Sequence, residues 1–409
     1  MNYKNLVPED SFIGQYMKYM SVVETAESYD FWCAMWGIGV GCGRTVFVDR
    51  PNSPVYCNWF IILAAESGTT RKSTAIRSIR RIVDNDLPLL TGKTSSEGLD
   101  NLLHQRTIET GEATAHFAVS ELVTILGKEG YLASMPATLT DLYDCDELRT
   151  LPGTIKHGEI TQRNIYVSFL SASTPAWLVT AINPSVIEGG FTSRVIFVVD
   201  DVRKRSIAWP EERDGSRTVD LARRFAQVCS SGRGVGAIRI STGGLKRHRQ
   251  WYNNRRQHTD PFLSSFEARE DDHVLRAALG LCINDGTLEL QSSHIGKAIK
   301  LINDVKFRAN NLFGGDFSQK ARLTGAVDRI REILIDAAGD GIKHSALQRR
   351  VVRHVDAKEL RVLMRIMHEC GMIQIFKMKR GEMYRATRTI EKFGVSSELM
   401  RVLNAAPKY

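Results

Sequence analysis

The stretch NWFIILAAESGTTRKSTAIRSIRRIV, residues 58–83, decides how the rest of the chain is read. Its first third is apolar without a break, as a strand covered on both faces is. Its last third repeats Ile76, Ile79, Ile82 and Val83 at helical spacing, so a loop joins a buried strand at Trp59–Ala64 to an amphipathic helix. A phosphate-binding loop has this context and reads G-x-x-x-x-G-K-[ST]. Here Lys72 and Ser73 hold the last two places, while Glu66 and Arg71 stand where the glycines belong. Such a loop works because successive backbone N–H groups and a helix N-terminus surround the phosphates, with the lysine on the β and γ charge and the hydroxyl on Mg²⁺. The expected ATP and Mg²⁺ site is therefore Ser67, Gly68, Thr69, Thr70, Arg71, Lys72, Ser73 and Thr74. Gly68 supplies backbone freedom, and Arg71 is tolerable only if its φ and ψ suit a residue with a Cβ. The same letters also fit an ordinary strand–helix junction with a basic start.

Three further apolar runs follow, AHFAV, IYVSFLSA and RVIFVVD, each separated by helical stretches, and together they predict a parallel sheet covered by helices. The first ends in Ser120-Glu121. An acidic residue at a strand tip beside the phosphates can orient and activate water, which is the role expected of Glu121. Ser120 stands where an aspartate is usual, so a metal contact from it is weak or runs through water; a helix N-cap is the alternative reading of this pair. The second run ends in Ser171, Ser173 and Thr174, whose hydroxyls can position water or simply make a turn before Pro175. The third follows Gly189-Gly190 and opens at Arg194. That residue is either a finger reaching a neighbouring subunit's γ-phosphate or a surface arginine.

In order, the strand, SGTTRKSTA, VSEL, SASTP and GGFTSR resemble the phage- and plasmid-encoded AAA+ family of primase–helicase-like ATPases, related to the superfamily 3 helicases. Members of that family often write the loop as S-G-x-x-K-S, sometimes with arginine before the lysine. The resemblance spans roughly residues 10–310 and includes DHVLRAALGLCIND and SSHIGKAIKLIND, which look like the family's helical lid. It implies Lys72 and Ser73 as phosphate and Mg²⁺ ligands, Glu121 as catalytic base, Ser173 or Thr174 as sensor and Arg194 as finger. Arg276 is a weaker lid candidate that also reads as a solvated helix arginine. The missing aspartate at Ser120 is a departure from the family.

Between the acidic tip and the next strand, TLPGTIKHGEITQRN reads as a hairpin with Lys156-His157 near its turn. The relatives thread such a hairpin into a central pore, where Lys-His grips single-stranded DNA; an exposed turn is the alternative. Residues 320–409 hold nineteen Lys and Arg against ten Asp and Glu, the whole of the net charge of +9. Three helices and a hairpin are expected there, the order of a winged helix. Arg349, Arg350, Lys358, Arg361, Arg365, Lys379 and Arg380 are the candidate DNA contacts.

Seven scattered cysteines with no C-x-x-C pair read as reduced thiols, and no apolar run is long enough for a membrane span. Gly37, Gly39, Gly41 and Gly43 do not have dinucleotide-loop spacing. The expectation is an α/β chain: a P-loop AAA+ parallel-sheet core at 51–214, N-terminal helices at 1–50, a helical lid at 215–315, a winged helix at 320–390 and a tail at 391–409. The expected activity is an ATP-dependent helicase or translocase acting as a homo-oligomeric ring, as a hexamer, on single-stranded and also double-stranded DNA, in the cytoplasm of a bacterial host. The alternatives are an ATP-switched initiator or loader that does not unwind, and a DNA-binding scaffold with an inactive site.

Overall fold

The computed structural model describes residues 1–51, 53–83, 89–126, 134–152, 158–182, 190–200, 202, 205–209, 215–255, 258, 260–313, 326–327, 329–337, 341–351, 355, 357–369, 371–378 and 381–387. Contacts divide the chain into two compact units, residues 1–178 with 185–314, and residues 315–409 with 179–184.

The first unit is built on a five-stranded sheet of β3 (Phe60–Ala64), β4 (Leu89–Leu90), β5 (Thr114–Ala118), β8 (Tyr166–Ser173) and β9 (Val195–Val199). The order across it is β4-β5-β8-β3-β9, and every pair is parallel. β3 is buried at all five positions, which is why it reads as an unbroken apolar run. Helix α3 (Lys72–Val83) follows it and buries Ile76, Ile79, Ile82 and Val83, as the spacing predicts. β8 lies between β3 and β5, so the chain leaves β3, crosses to the far edge and returns strand by strand. Parallel sheets bind ligands at the carboxyl ends of strands where this winding reverses.

Helices α1 (Phe12–Met20) and α2 (Glu27–Cys42) share one core with the sheet and with the helices Glu270–Asn284 and Ser292–Phe313. α2 is buried from Ser28 to Cys42, hydrophobic all round as a central helix must be. Its glycines are contact points. A Cβ on Gly39 would lie 2.1 Å from the Cys57 carbonyl oxygen, and one on Gly41 would lie 2.3 Å from the Cys229 Sγ.

A second, four-stranded sheet was not foreseen. It joins β1 (Val46–Val48), β2 (Val55–Tyr56), β10 (Gly236–Ile240) and β11 (Glu289–Leu290) in the order β11-β10-β1-β2. The region between 216 and 312, expected to be wholly helical, therefore contains two short strands. β6 (Leu148–Leu151) and β7 (Ile160–Arg163) form the expected antiparallel hairpin, with Leu151 opposite Ile160.

The second unit has its own core, including Ile330, Leu334, Leu347, Leu363, Met367 and Tyr384. After helical residues 329–336 come β12 (Ile342–Lys343), the helices His344–Val351 and Ala357–Glu369, and the hairpin β13 (Ile373–Lys377)–β14 (Glu382–Ala386). β12 pairs with β14, which makes a three-stranded antiparallel sheet where the sequence suggested two strands. Among the described residues, no helix is long and apolar enough to cross a membrane.

Candidate functional site

The loop between β3 and α3 turns on two residues with positive φ. Gly68 sits at φ 78° with open space where a Cβ would be, so its conformation, not crowding, calls for glycine. Arg71 sits at φ 51°, a left-handed conformation that a residue with a side chain adopts at a cost of about 1–2 kcal/mol. Its carbonyl accepts from the amides of Thr74 and Ala75 at 2.9 and 3.2 Å and so starts helix α3. Its guanidinium turns to Glu24, with Nε and Nη2 3.1 and 3.0 Å from one carboxylate oxygen.

The loop is braced from behind by α2. The Tyr29 hydroxyl lies 2.9 Å from the Ala64 carbonyl and 2.8 Å from that of Asp200, and it accepts from Thr70 at 3.3 Å. One phenol thus ties the ends of β3 and β9 to the loop. Asp200 is buried and accepts from Ser28 at 2.8 Å, with Arg308 3.6 Å away.

A cleft of about 500 Å³ opens at the carboxyl ends of the strands. Ser67, Gly68, Arg71, Lys72, Ser73 and Thr74 line one side, and Ser120, Glu121, Ser173 and Thr174 the other. Sheet register explains the meeting. Ala64 pairs with Ser173, Ala118 pairs with Leu170, and the Leu122 amide donates to the Ala172 carbonyl at 2.8 Å. The three tips are therefore level, with β8 between the other two, and β3 and β5 stand about 10 Å apart at the usual strand spacing. That gap accommodates a phosphate and a water.

Within the cleft the Lys72 ammonium donates to the carbonyls of Ala65 and Glu66 at 2.6 and 3.1 Å. Partial burial lowers its pKa from the ordinary lysine value, partly offset by Glu66. Its two carbonyl partners are neutral, so a phosphate would be the better acceptor for this half-buried charge. Glu121 is exposed. Thr174 caps α7 (Pro175–Ala181), accepting from the Trp177 amide at 3.4 Å, while the Ser173 hydroxyl has a 3.4 Å contact to the next carbonyl. Each hydroxyl thus has one long hydrogen bond, Ser173 as donor and Thr174 as acceptor.

Of the residues expected to bind nucleotide, Thr69 and Thr70 do not line the cleft; Thr70 is buried against Tyr29. Five cleft residues escaped sequence reading, Leu122, Val123, Ala172, Arg77 and Trp177, of which the last two carry polar or aromatic side chains. Arg77 lies one turn after Ser73, a spacing that could have flagged it, and its Nε donates to the Ser73 carbonyl at 3.3 Å. Trp177, in the first turn of α7, carries no motif.

Arg194 lies just before β9, at the opposite end of the strand from the loop. Its guanidinium donates to Asp144 at 2.8 Å and to the Gly190 carbonyl at 3.2 Å, and lies 5.7 Å from the Tyr143 ring centre. Arg276 is neither solvated nor in the cleft. It is 4% exposed, donates to the Tyr56 carbonyl at 2.9 Å and to the Tyr143 hydroxyl, and stacks on the Tyr143 ring. Burial among partners, which helical spacing alone does not reveal, makes it a structural residue.

The β6–β7 hairpin is fastened to α4 (Ser96–Thr110). Arg149 donates to Asp100 at 2.6 Å, Gln162 donates to the same carboxylate at 3.1 Å, and His104 Nδ1 lies 2.7 Å from the Thr161 carbonyl. Lys156 and His157 lie outside the described residues, as do Lys379 and Arg380. Arg349, Arg350, Lys358, Arg361 and Arg365 are exposed on the two described C-terminal helices. No protein-family model matches the chain, and no curated protein matches it.

Proposed function

We propose that the chain is an ATPase of the AAA+ kind, related to the superfamily 3 helicases, that hydrolyses ATP as a homo-oligomeric ring and moves on single-stranded DNA. The observation that carries this reading is the convergence of three strand ends on one cleft: the Lys72-Ser73 loop, Ser120-Glu121 and Ser173-Thr174. A chance RKST would not place a strand-tip glutamate and a strand-tip hydroxyl level with it. The cleft volume, the amide-rich turn and the half-buried ammonium fit a magnesium triphosphate.

In this reading Lys72 exchanges its two carbonyl contacts for β and γ oxygens, and the amides of the cleft-lining residues Gly68, Arg71, Lys72 and Ser73 cup the phosphates. Ser73 would hold Mg²⁺, with Ser120 acting through water. Bound there, the ion neutralises charge that builds on the phosphate oxygens. Glu121 orients and deprotonates the attacking water, and Ser173 donates a hydrogen bond to it or to the γ-phosphate. Arg194 is too far along β9 to serve its own loop, which suits a finger that acts across a subunit seam. Lys156 and His157, between β6 and β7 in the sequence, would grip the single strand. The C-terminal unit, with exposed basic residues on its helices and a hairpin after them, is read as a winged helix on duplex DNA.

The test is hydrolysis of ATP with and without oligo-dT, together with unwinding of a forked duplex. We expect hydrolysis stimulated by oligo-dT, loss of at least a hundredfold in Lys72→Ala and in Glu121→Gln, and unwinding lost in Lys156→Ala. ATP hydrolysis unaffected by Lys72→Ala would end this reading. Hydrolysis without strand displacement would favour an ATP-switched loader.

A further inference from the structure

From Leu221 to Thr259 the sequence carries nine Lys and Arg and not one Asp or Glu. The centre of this stretch is the helix Thr242–Asn253, TGGLKRHRQWYN. Arg247, Gln250, Trp251 and Asn254 recur at helical spacing, yet the face they make is polar and aromatic rather than apolar. They line a second cleft of about 500 Å³, closed on its other side by Ile299, Asn303 and Lys306 of the Ser292–Phe313 helix.

The chemistry of this cleft is specific. The Arg247 guanidinium lies over Gly296, where a Cβ would come within 2.5 Å of it, so the glycine makes room for a planar cation. The Arg255 guanidinium stacks 3.7 Å from the Tyr252 ring centre and 5.3 Å from that of Trp251. Tyr252 is 44% exposed, large for an aromatic ring without an apolar neighbourhood to enter. Glu270, the carboxylate lining the cleft among the described residues, is buried and paired with Lys306 at 2.7 Å, and the neighbouring Glu267 is held by Lys306 at 3.5 Å and by His258 at 2.5 Å, so neither is left unpaired against an anion. Lys246 and Arg249 are exposed on the solvent side of the same helix, with no ion pair among the described residues.

We infer that this surface binds single-stranded nucleic acid, with an unpaired base stacked on Trp251 and the Arg255–Tyr252 pair, and phosphates on Arg247, Lys246 and Arg249. Clustered cations beside carboxylates that are already paired favour a polyanion. Flat rings and stacked guanidinium favour unpaired bases over a duplex, whose bases are already stacked. Gln250, Asn254 and Asn303 offer amides to base edges without demanding one base. This goes beyond the reading of the Lys72 cleft and does not depend on it.

Fluorescence anisotropy of labelled oligo-dT with the full chain, across a salt series, tests the inference, with ATP retention measured in parallel. Lys246→Ser with Arg249→Ser should make the slope of log affinity against log salt shallower by about 1.4, since each phosphate contact on a single strand contributes about 0.7. These are exposed side chains, so folding is not in question. Trp251→Leu should weaken oligo-dT binding about tenfold, and Trp251→Phe should restore most of it, with an unchanged circular dichroism spectrum. ATP retention should stay at the wild-type level in all of these, whereas Lys72→Ala should lose ATP and keep oligo-dT. An unaltered slope in the serine variant, or equal loss in Trp251→Leu and Trp251→Phe, would each overturn the inference.

Discussion

Arg71 stands where a phosphate loop normally has glycine, and it keeps the glycine conformation at φ 51°. Two opposed effects meet there: left-handed strain of about 1–2 kcal/mol, and an ion pair with Glu24 on a side chain that is 54% exposed, worth little after screening. Strain should win. Arg71→Gly is expected to match or exceed the wild type in stability, while Arg71→Ala, which keeps the strain and loses the pair, should fall below the glycine variant by about 1 kcal/mol. Urea unfolding of the three proteins decides it, and an alanine variant as stable as the glycine variant would remove the case for strain. Two histidines give the acid side of the stability curve. Burial pushes His116 down to about 3, and burial with the nearby Arg276 does the same for His273. An unfolded histidine titrates near 6.5, so between there and about pH 3 the unfolded chain takes up protons that the native one refuses. The stability these neutral imidazoles provide is complete above pH 6.5 and declines as the pH falls, at up to about 1.4 kcal/mol per pH unit for each. Replacing His116 by Leu should flatten that limb by about one proton, read from unfolding free energies between pH 6.5 and 4.5.

At the scale of elements, local pattern and long-range pairing were not equally legible. β3 and α3 were readable because a strand buried on both faces and a helix with an isoleucine stripe each write their period into consecutive residues. The four-stranded sheet was not, because β1 and β2 carry three and two residues and β1 joins them to β10, almost two hundred positions later. No local period survives at that length. The cleft was legible in its motif residues, since each sits at the end of an apolar run. Arg77 and Trp177 join it through the geometry of α3 and α7, which the motifs do not encode. The hairpin was legible as two strands around a turn, but its anchorage was not. Asp100 accepts from both Arg149 and Gln162, one carboxylate joining both strands to α4. Charge-assisted bonds of this kind contribute about 1.5–3 kcal/mol each. Asp100→Ala should therefore lower the local opening free energy of β6 and β7 by about 2 kcal/mol, seen as roughly thirtyfold faster amide exchange in those strands. Exchange in β3 and β8 should be unaffected; a uniform rise across the sheet would mean that Asp100 supports the whole unit instead.

At the scale of the whole molecule the question is whether one chain can contain a complete site. The loop, Glu121 and Ser173 lie at one end of the sheet, while Arg194 lies at the start of β9, a full strand length away. Its guanidinium is held by Asp144, whose other oxygen is taken by Arg269 at 2.9 Å. Losing Arg194 therefore leaves Asp144 paired, and the fold should tolerate Arg194→Ala. If the site is completed at a seam between copies, two separately inactive variants should rescue each other. Lys72→Ala keeps a sound Arg194, and Arg194→Ala keeps a sound loop. Removing a finger costs about 10³-fold or more, so each alone should be nearly silent. Random mixing in equal amounts pairs a sound loop with a sound Arg194 at about one seam in four, since a ring joins each copy head to tail to the next. The mixture should therefore show about a quarter of the wild-type ATPase rate in the presence of oligo-dT. A mixture no more active than the sum of its parts would confine catalysis to a single chain and deny Arg194 a role in trans, while Lys72 and Glu121 would keep theirs.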